Sequence, residues 1–190
     1  MKRIPYSRLV AYQALPDDAL VRVYSYQEEE ALGRMEAYGY LTGPIEDAVD
    51  EYFKPAYDWM RQQMAERLVD YTGEYPIWAW LKRCSTKNKE RKYRGTKEKV
   101  RITAMVPKSR ILLSNYETWH SPLNNSPCVR TEAEFDTFHG DPTPTWTSVF
   151  DFTPPTDPNE VYWCGSGKYY RVQACIDRIY PNEIRDIKIG

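Results

Sequence analysis

Residues 75–81 read Tyr-Pro-Ile-Trp-Ala-Trp-Leu, and they form the clearest strand pattern in the chain. Strands favour aromatic and β-branched residues, and successive side chains of a strand point to opposite faces of the sheet. The alternation predicts an aliphatic face made of Ile77, Ala79 and Leu81. It also predicts an aromatic face with Trp78 and Trp80, which either packs in the interior or borders a cleft. The fold is therefore expected to be organised around a sheet with two different faces.

Around this strand, helical patterns lie mainly in the first half of the chain and strand patterns mainly in the second. Residues 28–38 and 45–71 predict helices, the latter as one helix or as two with a break near Pro55. Three- and four-residue spacing within 45–71 predicts one apolar face, made of Ala56, Trp59, Met60, Gln63 and Met64. Strands are predicted at residues 20–26, 100–106, 110–114, 146–152 and 179–189, and a loop at 121–145. This segregation is typical of α+β folds. We expect a single domain over residues 1–190, with the helices packed on a mostly antiparallel sheet.

Length and composition indicate an ordinary globular protein. The chain has 190 residues and a mass of 22.4 kDa, with 42% apolar and 28% charged residues. Its net charge of −1 gives no overall attraction to nucleic acids or membranes. No apolar run reaches the roughly 18 residues of a membrane helix. Because the N-terminus has no apolar signal segment and the four cysteines lie far apart, we expect a reduced, cytoplasmic protein.

The charges are unevenly distributed along the chain. Residues 82–101 contain ten lysines and arginines against two glutamates, a net charge of +8, whereas the remainder carries −9. Such asymmetry favours a local anionic partner, and we predict nucleic-acid binding by this segment. The predicted contacts are Arg83, Lys87, Lys89, Arg91, Lys92 and Arg94. The alternative is a flexible, solvated loop over residues 82–99, whose charges only keep it in solution.

Motifs for several common kinds of chemistry are missing from the sequence. Two histidines and four scattered cysteines give no local spacing suited to the three or four ligands of a metal site, so we predict no metal. The G-x-S-x-G nucleophile turn and the G-x-G-x-x-G dinucleotide turn are both absent. Residues 165–168, Gly-Ser-Gly-Lys, match only part of a phosphate-binding loop, and a hairpin turn explains them better.

An ordered set of short segments points to one family. They include Val-Tyr-Ser-Tyr-Gln at 23–27, Tyr-Pro-Ile-Trp-Ala-Trp at 75–80 and Asn-Tyr-Glu-Thr-Trp-His at 115–120, with further segments at 53–60, 63–64, 123–125, 146–151 and 172–174. Together they resemble the bacterial and phage family called domain of unknown function 3841, over residues 21–189. Two features depart from that family. The basic segment replaces its usual Pro-Asp-Leu-Arg block, and Arg178 stands where relatives tend to carry a glutamate.

The family resemblance implies no activity, so the functional hypothesis comes from aromatic and amide residues inside the matching segments. Aromatic rings stack on nucleobases and on nicotinamide, and amides bind their polar edges. The chain's size and split α+β layout resemble small ADP-ribosyltransferases, which implies NAD as the cofactor that is consumed. NAD would be held by Tyr24, Tyr26, Gln27, Trp78, Trp80, Trp119 and Asn125. The catalytic residues would be Ser114 and His120, which position ribose or phosphate, and Gln173 and Asp177, which support the developing cation or the acceptor.

The same residues are also compatible with less specialised roles. The tryptophans, above all Trp59 and Trp146, pack in a core in the simplest alternative. A second alternative is a non-catalytic module of phage or defence origin that binds a nucleotide, a nucleic acid or a host protein. The replacement of the family's glutamate by Arg178 favours this module. A third is a toxin or antitoxin component that acts through protein contacts. No membrane partner is expected.

Overall fold

A computed structural model of the chain describes residues 3–83, 100–157 and 169–189. The strands are β1 (Ile4–Pro5), β2 (Leu20–Gln27), β3 (Leu41–Thr42), β4 (Ile77–Trp80), β5 (Val100–Pro107), β6 (Leu112–Asn115), β7 (Tyr169–Tyr170), β8 (Val172–Ile176), β9 (Arg178–Ile179) and β10 (Ile184–Ile189). The α-helices are α1 (Tyr6–Gln13), α2 (Glu30–Tyr38), α3 (Lys54–Arg67), α4 (His120–Leu123) and α5 (Glu132–Thr137). Short 3-10 helices cover Glu46–Ala48, Lys108–Arg110, Thr143–Phe150 and Pro181–Glu183.

The main sheet has six strands in the order β10-β5-β2-β4-β8-β6. Each neighbouring pair is antiparallel, and β2 and β4 lie in the middle. The helices α1, α2 and α3 precede β4 in the chain, whereas most strands follow it. This arrangement confirms the predicted α+β class, with a mostly antiparallel sheet drawn largely from the second half of the chain.

One face of the sheet packs on the main core. Val23, Ile77, Ala104 and Ile176 come from four adjacent strands and are fully buried in one cluster, against which Ala31 of α2 packs. The predicted aliphatic face is confirmed, since Ile77 and Ala79 are buried and Leu81 packs against the same cluster. At about 25 cal/mol per Å² of apolar surface removed from water, such burial is the dominant stabilising contribution.

The opposite face is covered at the β8 and β6 end by α3 and the 3-10 helix Thr143–Phe150. The predicted apolar face of α3 is confirmed, because all its members are buried, namely Ala56, Trp59, Met60, Gln63 and Met64. Trp59 contacts Trp146 edge-to-face with ring centroids 5.6 Å apart. Both tryptophans are buried in the cluster that also holds Cys175 of β8. Trp59 and Trp146 are therefore core residues.

Proline shapes two local elements. Of the two alternatives for residues 45–71, the break near Pro55 is confirmed: Glu46–Ala48 is a 3-10 helix, and α3 begins at Lys54. Pro55 lies in the first turn of α3, where its missing N–H costs no hydrogen bond. Residues 146–152 were predicted as a strand, but Thr143–Phe150 is a 3-10 helix with Pro142 as its N-cap. Three-residue spacing brings Trp146 and Val149 to the same side, and both are buried. Apolar residues in this stretch therefore follow helical rather than alternating burial.

The predicted loop at 121–145 contains two short helices. Helix α5 begins at a capping box in which the Thr131 hydroxyl accepts from the Glu134 N–H and the Glu134 carboxylate accepts from the Thr131 N–H. This threonine–glutamate spacing is a recognised helix start. Of the basic segment, residues 84–99 lie outside the described residues, as does most of the loop predicted at 82–99. In the described ranges, no helix has the length and apolar character needed to cross a membrane.

Candidate functional site

A line of side chains crosses five strands on the face opposite the main core. The strand register pairs Thr103 with Tyr24, Tyr24 with Trp80, Trp80 with Gln173, and Gln173 with Ser114. Directly opposed residues of antiparallel strands share a face, so these five side chains form one continuous line. We call it the polar–aromatic row, made of Thr103, Tyr24, Trp80, Gln173 and Ser114. The sheet thereby brings together four residues that the sequence analysis selected from separate segments.

Exposure varies along the polar–aromatic row in a way that suits ligand binding. Tyr24 and Trp80 are half-buried, so parts of their rings face outward. Gln173 is 3% exposed and Ser114 is fully buried. Flat aromatic surface beside buried polar groups is typical of sites that recognise planar ligands with polar edges. Since all five side chains are uncharged, the row itself favours a neutral part of a ligand.

The amide of Gln173 is the most informative group in the row. Its Nε2 is buried and finds no hydrogen-bond acceptor among the described residues. Buried polar groups in folded proteins are nearly always paired, and an unpaired donor costs about 1–3 kcal/mol. This donor lies on the strand position between Trp80 and Ser114. An oxygen acceptor supplied by a ligand would satisfy it.

Ser114 lies deeper than a ligand-contacting residue. Its Oγ is 3.6 Å from the Cys175 Sγ, and both residues are fully buried. Burial raises the pKa of the Cys175 thiol to about 12, because the thiolate would be poorly solvated there. The pair therefore stays protonated at neutral pH. Ser114 lies beside Gln173 in the row, on the edge strand β6, and its hydroxyl contacts Cys175.

Cys175 is expected to resist alkylation in the folded protein. The reactive species is the thiolate, and the raised pKa of the thiol keeps the thiolate fraction very small near pH 8. Burial also keeps the reagent away from the sulfur. Peptide mapping after iodoacetamide treatment should find Cys175 unmodified in native protein and fully modified in urea. Rapid labelling of Cys175 in native protein would contradict the placement of β8 in the sheet interior.

Tyr116 and His120 extend the aromatic surface beyond Trp80. The rings of Trp80 and Tyr116 lie 5.5 Å apart, and those of Tyr116 and His120 lie 5.0 Å apart and edge-to-face. The Tyr116 N–H donates to the Arg171 carbonyl at 2.8 Å, which ties this turn to β8. His120 is exposed, and its Nδ1 lies 2.9 Å from the Tyr116 carbonyl oxygen. The histidine therefore stands at the rim of the row, held by the turn that precedes α4.

Trp78, Tyr26 and Trp119 form a more enclosed neighbouring group. Strand alternation places Tyr26 and Trp78 on the same face as the row. The Trp78 indole N–H donates to the Tyr57 hydroxyl at 3.2 Å, and its ring lies 5.1 Å from Trp119, which is 4% exposed. Trp78 and Trp119 therefore pack against α3, while Trp80 borders Tyr116.

Gln27 and Asn125 are set apart from the row. Gln27 follows Ser25 and Val23 by two and four positions on β2, so its side chain lies on their face of the strand, opposite the row. Its Nε2 donates to the Ser25 hydroxyl at 2.7 Å, and that hydroxyl donates to the Trp78 carbonyl at 2.9 Å. Asn125 has a left-handed φ of 48° in the turn after α4, a conformation that asparagine tolerates well. Gln27 is therefore linked to β4 through the Ser25 hydroxyl, on the face opposite the row. Asn125 belongs to the turn after α4.

Asp177 is engaged in holding the chain together. Its Oδ2 accepts from both the N–H and the hydroxyl of Thr72, at 3.2 and 3.0 Å, and its Oδ1 accepts from the Arg178 N–H at 2.8 Å. The carboxylate is 3% exposed. These contacts join the end of β8 to the segment between α3 and β4. The structure therefore supports a positioning role for this carboxylate.

Substitution of Asp177 by asparagine is expected to cost about 1–3 kcal/mol of stability. The amide keeps one accepting oxygen, but its NH2 group then faces the N–H of Thr72 or of Arg178, and that buried donor loses its acceptor. Urea denaturation of the variant and of the unchanged protein should show the reduced stability. Equal stability of the two proteins would contradict the positioning role.

Basic residues lie to one side of the row, near its middle. Arg22 precedes Tyr24 by two positions on β2 and is exposed. Lys82 is half-buried in the bend that follows the end of β4. Arg83 is exposed next to it. Five of the six predicted nucleic-acid contacts, Lys87, Lys89, Arg91, Lys92 and Arg94, lie outside the described residues.

Other features of this region were not singled out from the sequence. Tyr116 lies inside a family-like segment, yet only the fold shows that its ring borders Trp80. Arg171 pairs with Glu117 through Nε and Oε1 at 3.1 Å, close to the same turn. Thr103 joins the row only through the register of β5 with β2. Within the described part of the chain, no group of three or more histidine, cysteine or acidic residues could hold a metal ion.

Comparison with known proteins gives one finding. The sequence model of the family described as Domain of unknown function (DUF3841) matches residues 22–188, which covers nearly the whole chain. The chain belongs to this family, as the ordered segments indicated. No curated protein and no solved structure matches the chain significantly.

Proposed function

We propose that the chain is an ADP-ribosyltransferase-like enzyme that binds NAD on the polar–aromatic row. The observation that carries this proposal is the buried, unpaired Nε2 of Gln173, which lies between Trp80 and Ser114. A ligand for this place needs a planar ring for the aromatic surface and an oxygen for the amide donor. Nicotinamide, with its carboxamide and the adjoining ribose hydroxyls, has both.

The basic side chains beside the row suit the charged part of NAD. Arg22 lies two positions before Tyr24 on β2, and Lys82 follows Trp80 by two residues, just beyond the end of β4. Their cations would bind the diphosphate, while the uncharged row takes the nicotinamide end. This division supports NAD over a neutral planar ligand, which would leave the cations unused.

The proposed reaction transfers ADP-ribose from nicotinamide to an acceptor. The bond between ribose C1′ and the nicotinamide nitrogen breaks, and its electron pair goes to nicotinamide, which leaves as a neutral molecule. Positive charge develops on the ribose, and an acceptor oxygen or nitrogen attacks C1′ and gives up its proton. Enzymes favour such a step by fixing dipoles around the developing charge and excluding water. The Gln173 Nε2 would hold the carboxamide oxygen of the leaving nicotinamide, and the carbonyl end of the same amide is the end of the dipole suited to the developing positive charge.

The basic segment supports a nucleic acid as the target. A net charge of +8 over residues 82–101 follows directly after the strand that carries Trp80. Phosphate contacts by lysine and arginine release counterions and supply most of the affinity of such binding. The target would thus be bound by this segment, while NAD binding relies on the row itself.

A label-transfer experiment tests the proposal. Purified protein is incubated with NAD labelled in its adenylate and with a bacterial lysate, and products are digested in parallel with nuclease and protease. Label that survives protease but not nuclease supports a transferase that modifies nucleic acid. Protein-bound label would keep the transferase and remove the nucleic-acid target. No transfer and no nicotinamide release from folded protein would overturn the enzymatic proposal.

A non-catalytic nucleotide-binding module is the second candidate, favoured by one observation. The row is uncharged, and the nearby Asp177 carboxylate is occupied by Thr72 and Arg178. A module of this kind would bind NAD or a related nucleotide with Gln173 and Trp80 yet release no nicotinamide. Calorimetry would measure NAD binding, and a separate assay would measure nicotinamide release. Binding without release above the rate found in the absence of protein would select the module over the enzyme.

A further inference from the structure

We infer that His120 is the general base of the proposed transfer and that the acceptor is a hydroxyl group. This inference rests on the proposed function and adds to it the chemical class of the acceptor. His120 Nε2 would take the proton of the hydroxyl as its oxygen attacks ribose C1′. The atoms balance: the C1′–N bond breaks with release of neutral nicotinamide, the C1′–O bond forms, and the proton moves from the acceptor oxygen to Nε2.

Backbone contacts determine which nitrogen of His120 is free to act. Its Nδ1 lies 2.9 Å from the Tyr116 carbonyl oxygen and 3.2 Å from the Glu117 carbonyl oxygen. A carbonyl oxygen only accepts hydrogen bonds, so Nδ1 must carry a hydrogen. In the neutral ring, Nε2 then has the lone pair and is the basic atom. The tautomer of a proton acceptor is therefore set by the turn itself.

The same turn holds the His120 ring in a defined position beside the row. The Tyr116 N–H is bonded to Arg171, and the Trp119 N–H donates to the Asn115 carbonyl at 3.0 Å. The Tyr116 ring packs edge-to-face on the imidazole and also borders Trp80. One tyrosine ring thus separates the imidazole from the proposed nicotinamide surface. A base must be pre-positioned to be effective, and this turn fixes the imidazole. The acceptor would then lie between the His120 Nε2 and the ribose, across the Tyr116 ring.

Nearby groups that could compete for the role are already engaged. The Glu117 carboxylate pairs with Arg171 at 3.1 Å. Asp177 accepts three hydrogen bonds, and Cys175 stays protonated in the sheet interior. His120, by contrast, is exposed at the rim, where an acceptor in solution can reach it.

A base at this place identifies the acceptor chemistry. A carboxylate acceptor carries no proton and gains nothing from a base. An alcohol is a weak nucleophile at neutral pH and gains a factor of about 10²–10⁴ from a positioned base. Among oxygen acceptors, the hydroxyl is therefore the class that makes use of the histidine.

Methanol as the probe acceptor tests the inference. The unchanged protein, His120→Asn and His120→Ala are incubated with NAD and methanol, and both nicotinamide and methylated ADP-ribose are quantified. Asparagine keeps a donor for the Tyr116 carbonyl but lacks a basic nitrogen. His139→Ala is the matched control, because the chain's other histidine is also exposed, in the segment after α5. NAD affinity and thermal melting are recorded for each variant.

The expected result is a loss of methanol transfer of about 10²-fold or more in both His120 variants, with NAD affinity within about twofold of the unchanged protein. Added imidazole should restore transfer in His120→Ala, which a purely structural role would not allow. His139→Ala should behave as the unchanged protein. Full transfer by folded His120→Asn, or no imidazole rescue, would overturn the base. Failure of the unchanged protein to bind NAD or release nicotinamide would instead overturn the proposed function, and the base with it.

Discussion

Replacement of Gln173 by methionine is expected to make the free protein more stable and to weaken NAD binding. Methionine has nearly the volume of glutamine and no polar group that needs a partner. The substitution removes the buried, unpaired Nε2 and should recover part of its cost of about 1–3 kcal/mol. For a chain of this size, each kcal/mol corresponds to about 2–4 °C in melting temperature.

The same substitution removes the donor proposed to meet an oxygen of NAD. Loss of one buried hydrogen bond to a ligand is expected to weaken NAD binding about 10- to 100-fold, measured by calorimetry. The matched control is Gln63→Met. Gln63 is also buried and also has one unpaired amide atom, but it lies on α3 and bonds to Glu66 at 3.2 Å. NAD binding should not change in that variant.

The two results for Gln173 separate a binding group from a packing residue. A site that holds an unsatisfied polar group without its ligand sacrifices stability for recognition. If Gln173→Met loses stability and keeps NAD affinity, the amide has a structural partner and the row is not the site. Greater stability with unchanged NAD affinity would also remove Gln173 from the site.

Local periodicity was sufficient to predict the faces of the elements. The alternation at 75–81 correctly separated Ile77 and Ala79 from Trp78 and Trp80, because it depends only on the two-residue repeat of a strand. The face of α3 followed in the same way from three- and four-residue spacing. Alternation along β2 also separates Gln27 from Tyr24 and Tyr26, although the sequence analysis grouped them as one NAD-binding set.

The composition of the site depended on contacts between distant segments. Trp80 lies opposite Gln173, and Gln173 opposite Ser114, only because β8 inserts between β4 and β6. Nothing in the sequence near either residue encodes that register. The contact of Asp177 with Thr72 is equally non-local. Sequence reasoning could therefore select residue types suited to a site but not determine which of them meet.

The position of β4, and with it that of Trp80, also depends on a close approach between two backbone segments, the one after β3 and the one before β4. Gly43 follows β3 and is buried against the segment that leads into β4. A Cβ at this position would overlap the Tyr75 carbonyl oxygen and lie 2.9 Å from the Pro76 carbonyl carbon. Real Cβ atoms do not approach backbone atoms this closely, so one segment would have to move.

Both segments are held in place, which makes that movement costly. Leu41 and Thr42 pair with β9, and the Thr42 hydroxyl donates to Glu74 at 3.2 Å. The Tyr71 hydroxyl donates to the Glu74 carbonyl at 2.7 Å. Relief of the clash would strain or break these contacts and shift the start of β4. The glycine is therefore required here by its lack of a side chain, not by an unusual φ.

Replacement of Gly43 by alanine is consequently expected to destabilise the fold by about 3 kcal/mol, at the upper end of the cost of overpacking. Gly33→Ala is the matched control, because a Cβ there meets nothing within 4 Å and alanine favours helix α2 by up to about 1 kcal/mol. The midpoint of urea denaturation should therefore fall for Gly43→Ala and rise for Gly33→Ala, each relative to the unchanged protein. If Gly43→Ala were as stable as the unchanged protein, the backbones of β3 and of the segment before β4 could not lie this close. The position of Trp80 derived from that packing would then be wrong as well.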